Sequence, residues 1–206
     1  VQDGEADYFR RLSGRQALMV GQITTPIPLP EPPPEPPTLL FVGADNSVNR
    51  DAIRFAISEI WPLIRAELPG ARFLVVGPIC KTLSGNGEGV ELCGQIPEIS
   101  AAYAKAHVIF NPARSGTGNK IKSIEALAYG RPLVTTAIGA AGIEAGRDRA
   151  YLVAEGAKAL AESCVILLKN NDMRRVMGGE GIRLLNDCNQ HNYQALRLAL
   201  GIQRQG

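Results

Sequence analysis

Residues 114–136 read RSGTGNKIKSIEALAYGRPLVTT: a glycine-threonine-glycine turn, an amphipathic stretch, a Gly-Arg-Pro break and an apolar run. Turn, helix, break and strand in that order make one βα repeat. Whether the turn and the helix start hold a phosphate group, or only pack one such unit among several, depends on the rest of the chain.

Outward from this stretch the same alternation recurs. Strand-like runs occur at TLLFVGA, RFLVVGP, GVELCGQ, HVIFNPA, RPLVTTA and RAYLVAE, most of them followed by helical periodicity. DAIRFAISEIWPLIRAEL sets Ile53, Ile57, Ile60 and Ile64 on one stripe, with a kink expected at Pro62. PEISAAYAKA predicts a shorter helix and KALAESCVILLKN a longer one. The C-terminal stretch predicts further helices with a break near Gly178 and Gly179. Strands alternating with helices at this spacing imply an α/β fold, a Rossmann-like doubly wound parallel sheet with helices on both faces.

Eight of the fourteen prolines fall in PIPLPEPPPEPP, between Pro26 and Pro37. So few amide donors predict an extended polyproline segment. Upstream, EADYFRRL reads as a short helix and QALMVGQI as a short strand, too little to fold alone. The expected division is residues 1–37 as remnant and linker, and residues 38–206 as the Rossmann-like domain with its C-terminal helices.

The 206 residues are 45% apolar, enough for a real core. A net charge of +2, one Trp and five Phe argue against a dedicated nucleic-acid binder. No run approaches the roughly 18 apolar residues of a membrane span, and VQDGEADYFRRL lacks the regions of a signal peptide, so a cytoplasmic location is expected. Cys80, Cys93, Cys164 and Cys188 show no C-x-x-C spacing and read as reduced core or surface thiols. His107, opening HVIF, reads as a buried strand edge, and His191 as solvent-facing in a polar turn.

In doubly wound sheets ligands bind at the carboxyl ends of the strands, where the strand order reverses. Here the apolar runs end in Gly43-Ala44-Asp45-Asn46, Gly77-Pro78, Gly94-Gln95-Ile96 and Asn111-Pro112-Ala113-Arg114-Ser115-Gly116. Any one could simply be a βα turn; together they describe a crevice where backbone can approach a ligand. Gly116 and Gly118 leave amides uncovered next to a helix start, and Arg114, Ser115, Thr117 and Lys120 add cationic or hydroxyl donors. A diphosphate suits that set. Neither G-x-G-x-x-G nor G-x-x-x-x-G-K-[ST] is present, which excludes a nicotinamide dehydrogenase and a P-loop nucleotidase. Glu125 lies seven residues after Gly118 on the same side of the helix. Two readings stand for it: an acceptor for a ribose diol, or a solvated glutamate pairing loosely with Lys122.

GTGNKIKSIEALAYGRPLVTT, followed by GAAGIE, resembles the nucleotide-sugar-binding segment in the C-terminal domain of group 1 GT-B glycosyltransferases. The likeness extends through LLFVGADNSVNRDAIRFA, ARFLVVG, GQIPEISAAYAKAHVIFNPAR and MGGEGIRLL, roughly residues 38 to 190. It implies that Gly116, Thr117 and Gly118 hold the donor diphosphate, helped by Arg114 or Lys120, and that Glu125 binds the ribose. Gly94 and Ile96 would border the nucleobase pocket, and the loop carrying Gly43 and Asn46 would face an inter-domain cleft, with Gly77 on the same edge. Many relatives carry a further glutamate eight positions before the ribose glutamate; here that position is Thr117, a departure that weakens assignment to retaining enzymes relying on it. The resemblance implies transfer of a glycosyl group from a nucleotide sugar to an acceptor hydroxyl in polysaccharide or glycoconjugate synthesis. No cofactor is expected, the nucleotide sugar being a substrate. No Asp-x-Asp motif occurs, consistent with metal independence. The expected partners are the nucleotide sugar and an N-terminal acceptor domain carrying the catalytic groups, through which peripheral membrane association could arise. This chain alone would then be inactive. Two alternatives stay open: a nucleotide-sugar 2-epimerase, and a non-catalytic nucleotide-sugar-binding module.

Overall fold

The computed structural model describes residues 3–17, 20–32, 36–83, 87–116 and 120–201. Six parallel strands form one sheet: β1 (Thr38–Val42), β2 (Arg72–Val76), β3 (Val90–Gly94), β4 (Val108–Asn111), β5 (Leu133–Thr135) and β6 (Tyr151–Val153). Their order is β3-β2-β1-β4-β5-β6, so the winding direction reverses between β1 and β4. All six apolar runs form the strands predicted for them.

Alternation along each strand sends its side chains to two cores. Leu39, Phe41, Phe73, Val75 and Phe110 face one side, under α2 (Ser47–Phe55), α3 (Trp61–Glu67) and α6 (Gly156–Lys169). Leu40, Leu74, Ile109 and Leu133 face the other, under α4 (Ile99–Lys105), α5 (Ile121–Ala128) and the long α7 (Asn171–Ala199). Burying each large side chain contributes about 1.5–3 kcal/mol, which is why the strands read as continuous apolar runs. His107 is buried just before β4, where its Nδ1 accepts the Thr38 N–H at 3.0 Å and ties the starts of β1 and β4 together.

Ile53, Ile60 and Ile64 of the stripe are buried and Ile57 is partly so, but the break comes as a π-helical turn over Ala56–Ile60. There the Trp61 amide reaches back to the Ala56 carbonyl, and Pro62 opens the next helix, where its missing N–H costs nothing.

Three expectations are corrected. α7 runs unbroken through Gly178 and Gly179. A Cβ on Gly178 would stand 2.3 Å from the Gly130 carbonyl oxygen, and one on Gly181 would stand 3.0 Å from Leu127 Cδ2. The glycines let two helices touch; they do not end one. His191 lies within α7, exposed, and not in a turn. The run QALMVGQI forms no strand in its described residues; Leu18 and Met19 lie outside them. Its backbone is read by helix side chains instead. Asn192 accepts the Gly21 N–H at 2.8 Å, and Asn189 both accepts from Thr24 N at 3.0 Å and donates to Thr24 O at 2.7 Å.

The proline segment continues as a strap without helix or strand over residues 20–32. Ile27 and Leu29 donate to the carbonyls of Ala128 and Tyr129 at the end of α5, and the buried Arg131 donates to Pro30 O at 2.6 Å. α1 (Asp3–Ser13) precedes it as predicted. No helix among the described residues is long and apolar enough to cross a membrane. All four cysteines are free; Cys93 is exposed despite its apolar run, and Cys164 is buried.

Candidate functional site

At the carboxyl edge of the sheet three strand ends are drawn together by glycine. Gly43 N donates to Val76 O at 2.9 Å, and Gly77 N to Gly94 O at 2.7 Å. A Cβ on Gly77, whose φ is +113°, would fall 2.3 Å from the Gly43 oxygen. Only glycine fits that approach, and the Gly43 and Gly77 amides are satisfied inside the protein. These residues build the rim and leave the ligand-facing groups to other positions. Asn46 is the N-cap of α2, where its side chain accepts from Asn49 N at 2.8 Å.

Across the reversal point, the end of β4 is joined to the start of α5 and the end of β5. The buried Asn111 donates to Ser123 Oγ at 3.1 Å, Ser123 to Gly139 O at 2.7 Å, and Thr135 to Asn111 O at 2.8 Å. The loop above them carries Arg114, Ser115 and Gly116, all exposed. Thr117 and Gly118 lie outside the described residues. Gly116 has a φ of +120°, and its carbonyl accepts from Lys120 Nζ at 3.0 Å. Ser123 N and Ile124 N both donate to Lys120 O, at 2.9 and 3.0 Å, so only the Ile121 and Lys122 amides at the start of α5 lack a partner within the helix.

Arg114 turns away from that loop. Its Nε and Nη2 grip Asp51 at 3.0 and 2.5 Å, and its guanidinium lies 4.5 Å from the Phe55 ring centroid. The pairing holds the Asp51 carboxyl below its ordinary range.

Glu125 is half-buried between α4 and α5, and its Oε2 accepts the Tyr103 hydroxyl at 2.9 Å. Tyr103 is fully buried and stacks on Tyr129 with ring centroids 4.4 Å apart. Burial first, then the neighbouring Glu125, push the Tyr103 hydroxyl well above its ordinary pKa, so it stays a donor at neutral pH. The carboxylate is therefore aimed by a rigid aromatic pair, which a surface glutamate would lack.

Two residues of this region were not legible as site residues. Tyr103 reads in the sequence only as one apolar position of a short helix. Lys122 reads as a partner for Glu125, yet no ion pair joins them among the described residues. Its Nζ donates to Asn49 Oδ1 at 2.5 Å and stands 5.1 Å from the Phe41 ring centroid. Burial lowers its pKa to about 8, opposed by the attraction of Glu125. Asn49 is itself buried and donates to Ala44 O at 2.8 Å, so it joins the loop after β1 to α5. Among the described residues no three His, Cys, Asp or Glu side chains converge as metal ligands.

The two main cavities lie beside this crevice. The larger, about 670 Å³, runs down the sheet face past Leu74, Cys93 and Ala102 and meets the predicted residues only at Ile96. The smaller, about 310 Å³, lies between α5 and α7 and shares only Lys120. Volume and chemistry thus disagree. The converging polar side chains and the N-terminus of α5 lie at the β1/β4 reversal, where doubly wound sheets bind ligands.

The model of the family described as "Glycosyl transferases group 1" matches residues 36–170. No curated protein matches. Similar solved structures include S. aureus TarM with fondaparinux, alpha-GlcNAc-glycerol and UDP (15% identity, TM-score 0.74, covering 98% of this chain and 42% of that one). Sucrose-phosphate synthase from Thermosynechococcus elongatus is 21% identical at a TM-score of 0.69, with 97% of this chain and 56% of that one covered. The pneumococcal O-GlcNAc transferase GtfA, solved with UDP and GlcNAc, is 15% identical at a TM-score of 0.61, with coverages of 97% and 44%. The chain spans about half the length of these structures or less. With a family match over most of its sheet and the architecture of a C-terminal GT-B domain, this chain belongs to the group 1 glycosyltransferases.

Proposed function

We propose that this chain is the donor-binding domain of a glycosyltransferase and binds a nucleoside diphosphate sugar across the β1/β4 reversal. The carrying observation is Glu125, a half-buried carboxylate fixed by the Tyr103 hydroxyl next to a glycine-rich loop and a helix N-terminus. A ribose diol donates to such a carboxylate, while the diphosphate lodges against the loop and helix amides. Gly94 and Ile96 border the base. Two of the similar structures were solved with UDP, which supports this class of ligand.

In the reaction the bond between the sugar and the diphosphate breaks, the acceptor oxygen bonds to the sugar carbon and loses its proton, and the nucleoside diphosphate leaves. The task of this domain is to stabilise charge growing on the departing diphosphate, which prearranged amides and cationic side chains do without a resident metal. The acceptor and the groups that activate it belong, in this reading, to an N-terminal domain, in an enzyme of cytoplasmic polysaccharide or glycoconjugate synthesis.

Calorimetric titration with UDP, GDP and their sugars tests the assignment. One nucleoside diphosphate should bind, and Glu125→Ala should weaken it about tenfold to hundredfold, the loss expected for hydrogen bonds to a charged group. Equal binding by the variant would make Glu125 a packing residue and remove the ribose site.

A further inference from the structure

We infer that Lys122, held by Asn49, is the cation that meets the donor diphosphate, in place of Arg114. The inference rests on the donor-domain reading and assigns one residue within it.

Three cations lie near the loop, and their engagements differ. The charge of Arg114 is already met by Asp51, in a bidentate pair covered on one side by Phe55. Lys120 folds back onto the Gly116 carbonyl and lines the cavity on the far side of α5. Lys122 also lies at the reversal point, above Phe41 of β1 and bonded to Asn49 of α2, but it differs from Arg114 in having no carboxylate in contact. Its partner is a neutral amide oxygen, and no carboxylate pairs with it among the described residues. A largely buried ammonium with Glu125 near but no carboxylate in contact is expensive, and a bound anion removes that expense. Asn49 is a positioning residue: one end of its amide is fixed on Ala44 O, so the other presents a fixed acceptor that aims the ammonium.

The packing alternative is that Lys122 only covers Phe41 and cross-links α2 to α5. Titration of this chain with inorganic pyrophosphate, UDP and uridine separates the two. Lys122→Met should lose roughly tenfold to hundredfold in affinity for pyrophosphate and UDP, the span of a charge-assisted contact, with uridine binding unchanged. Lys122→Arg keeps the charge and should retain most of the affinity, which also guards against misfolding of the Met variant. Asn49→Ala should lose less than Lys122→Met. Wild-type affinity for pyrophosphate should fall above about pH 8, while the Arg variant stays level to pH 9.5. Unchanged UDP binding by Lys122→Met, or a matching loss in Arg114→Ala, overturns this assignment and leaves the donor site standing. Failure of the wild-type chain to bind UDP overturns both.

Discussion

At the scale of single residues, the site is a set of side chains whose meaning depends on their partners. Tyr103→Phe keeps the stacked ring but removes the donor to Glu125, so UDP affinity should drop about threefold to tenfold with the fold intact, read by calorimetry beside circular dichroism. Unchanged affinity would reduce the Tyr103 hydroxyl to a packing detail. Lys122 gives a second prediction, with a definite sign. Its pKa is near 8 folded and about 10.4 unfolded, so between those values the unfolded chain holds the extra proton. Stability should therefore rise with pH from about 8 to 10 relative to Lys122→Met, measured by urea unfolding. The charged groups acting on it are Glu125 and Lys120, with uncharged Asn49 and Phe41 packed against it. From its spacing to the glycines Glu125 reads equally as a ribose ligand or a surface glutamate, and only the resemblance of the whole segment favours the first. The company of Lys122 could not be read at all, because Asn49 lies on a different βα unit and only the sheet order brings the two together.

At the scale of elements, the strands were legible because a sheet buried on both faces demands continuous apolar runs. QALMVGQI has the same composition but no strand edge to join, since its neighbours are α7 asparagines. Gly178 and Gly179 were misleading for a related reason. Helix propensity counts each as a breaker, whereas tertiary contact needs one of them. Gly178→Ala should destabilise the domain by about 1–3 kcal/mol, because its Cβ would collide with the Gly130 backbone. Gly179→Ala, exposed and with nothing within 4 Å, should stabilise it by about 0.5–1 kcal/mol. Thermal unfolding of the two variants side by side decides the point; equal shifts would mean that the α5/α7 contact is loose.

At the scale of the whole molecule, a six-stranded sheet has one reversal, between β1 and β4. The proposed nucleotide contacts come from loops and helices of this chain. The chain spans 42–56% of the length of TarM, GtfA and sucrose-phosphate synthase, and in the proposed reading the acceptor side belongs to a second domain. On the proposed reading, the isolated chain should bind UDP or its counterpart yet release no nucleotide from a nucleotide sugar, followed by chromatography over hours. The most direct test is amide chemical-shift mapping with the nucleoside diphosphate that binds. Shifts should gather in residues 43–49, 94–96 and 114–125, around the β1/β4 reversal. Shifts gathered instead around Leu74, Cys93 and Ala102 in the larger cavity, with residues 114–125 silent, would contradict the account.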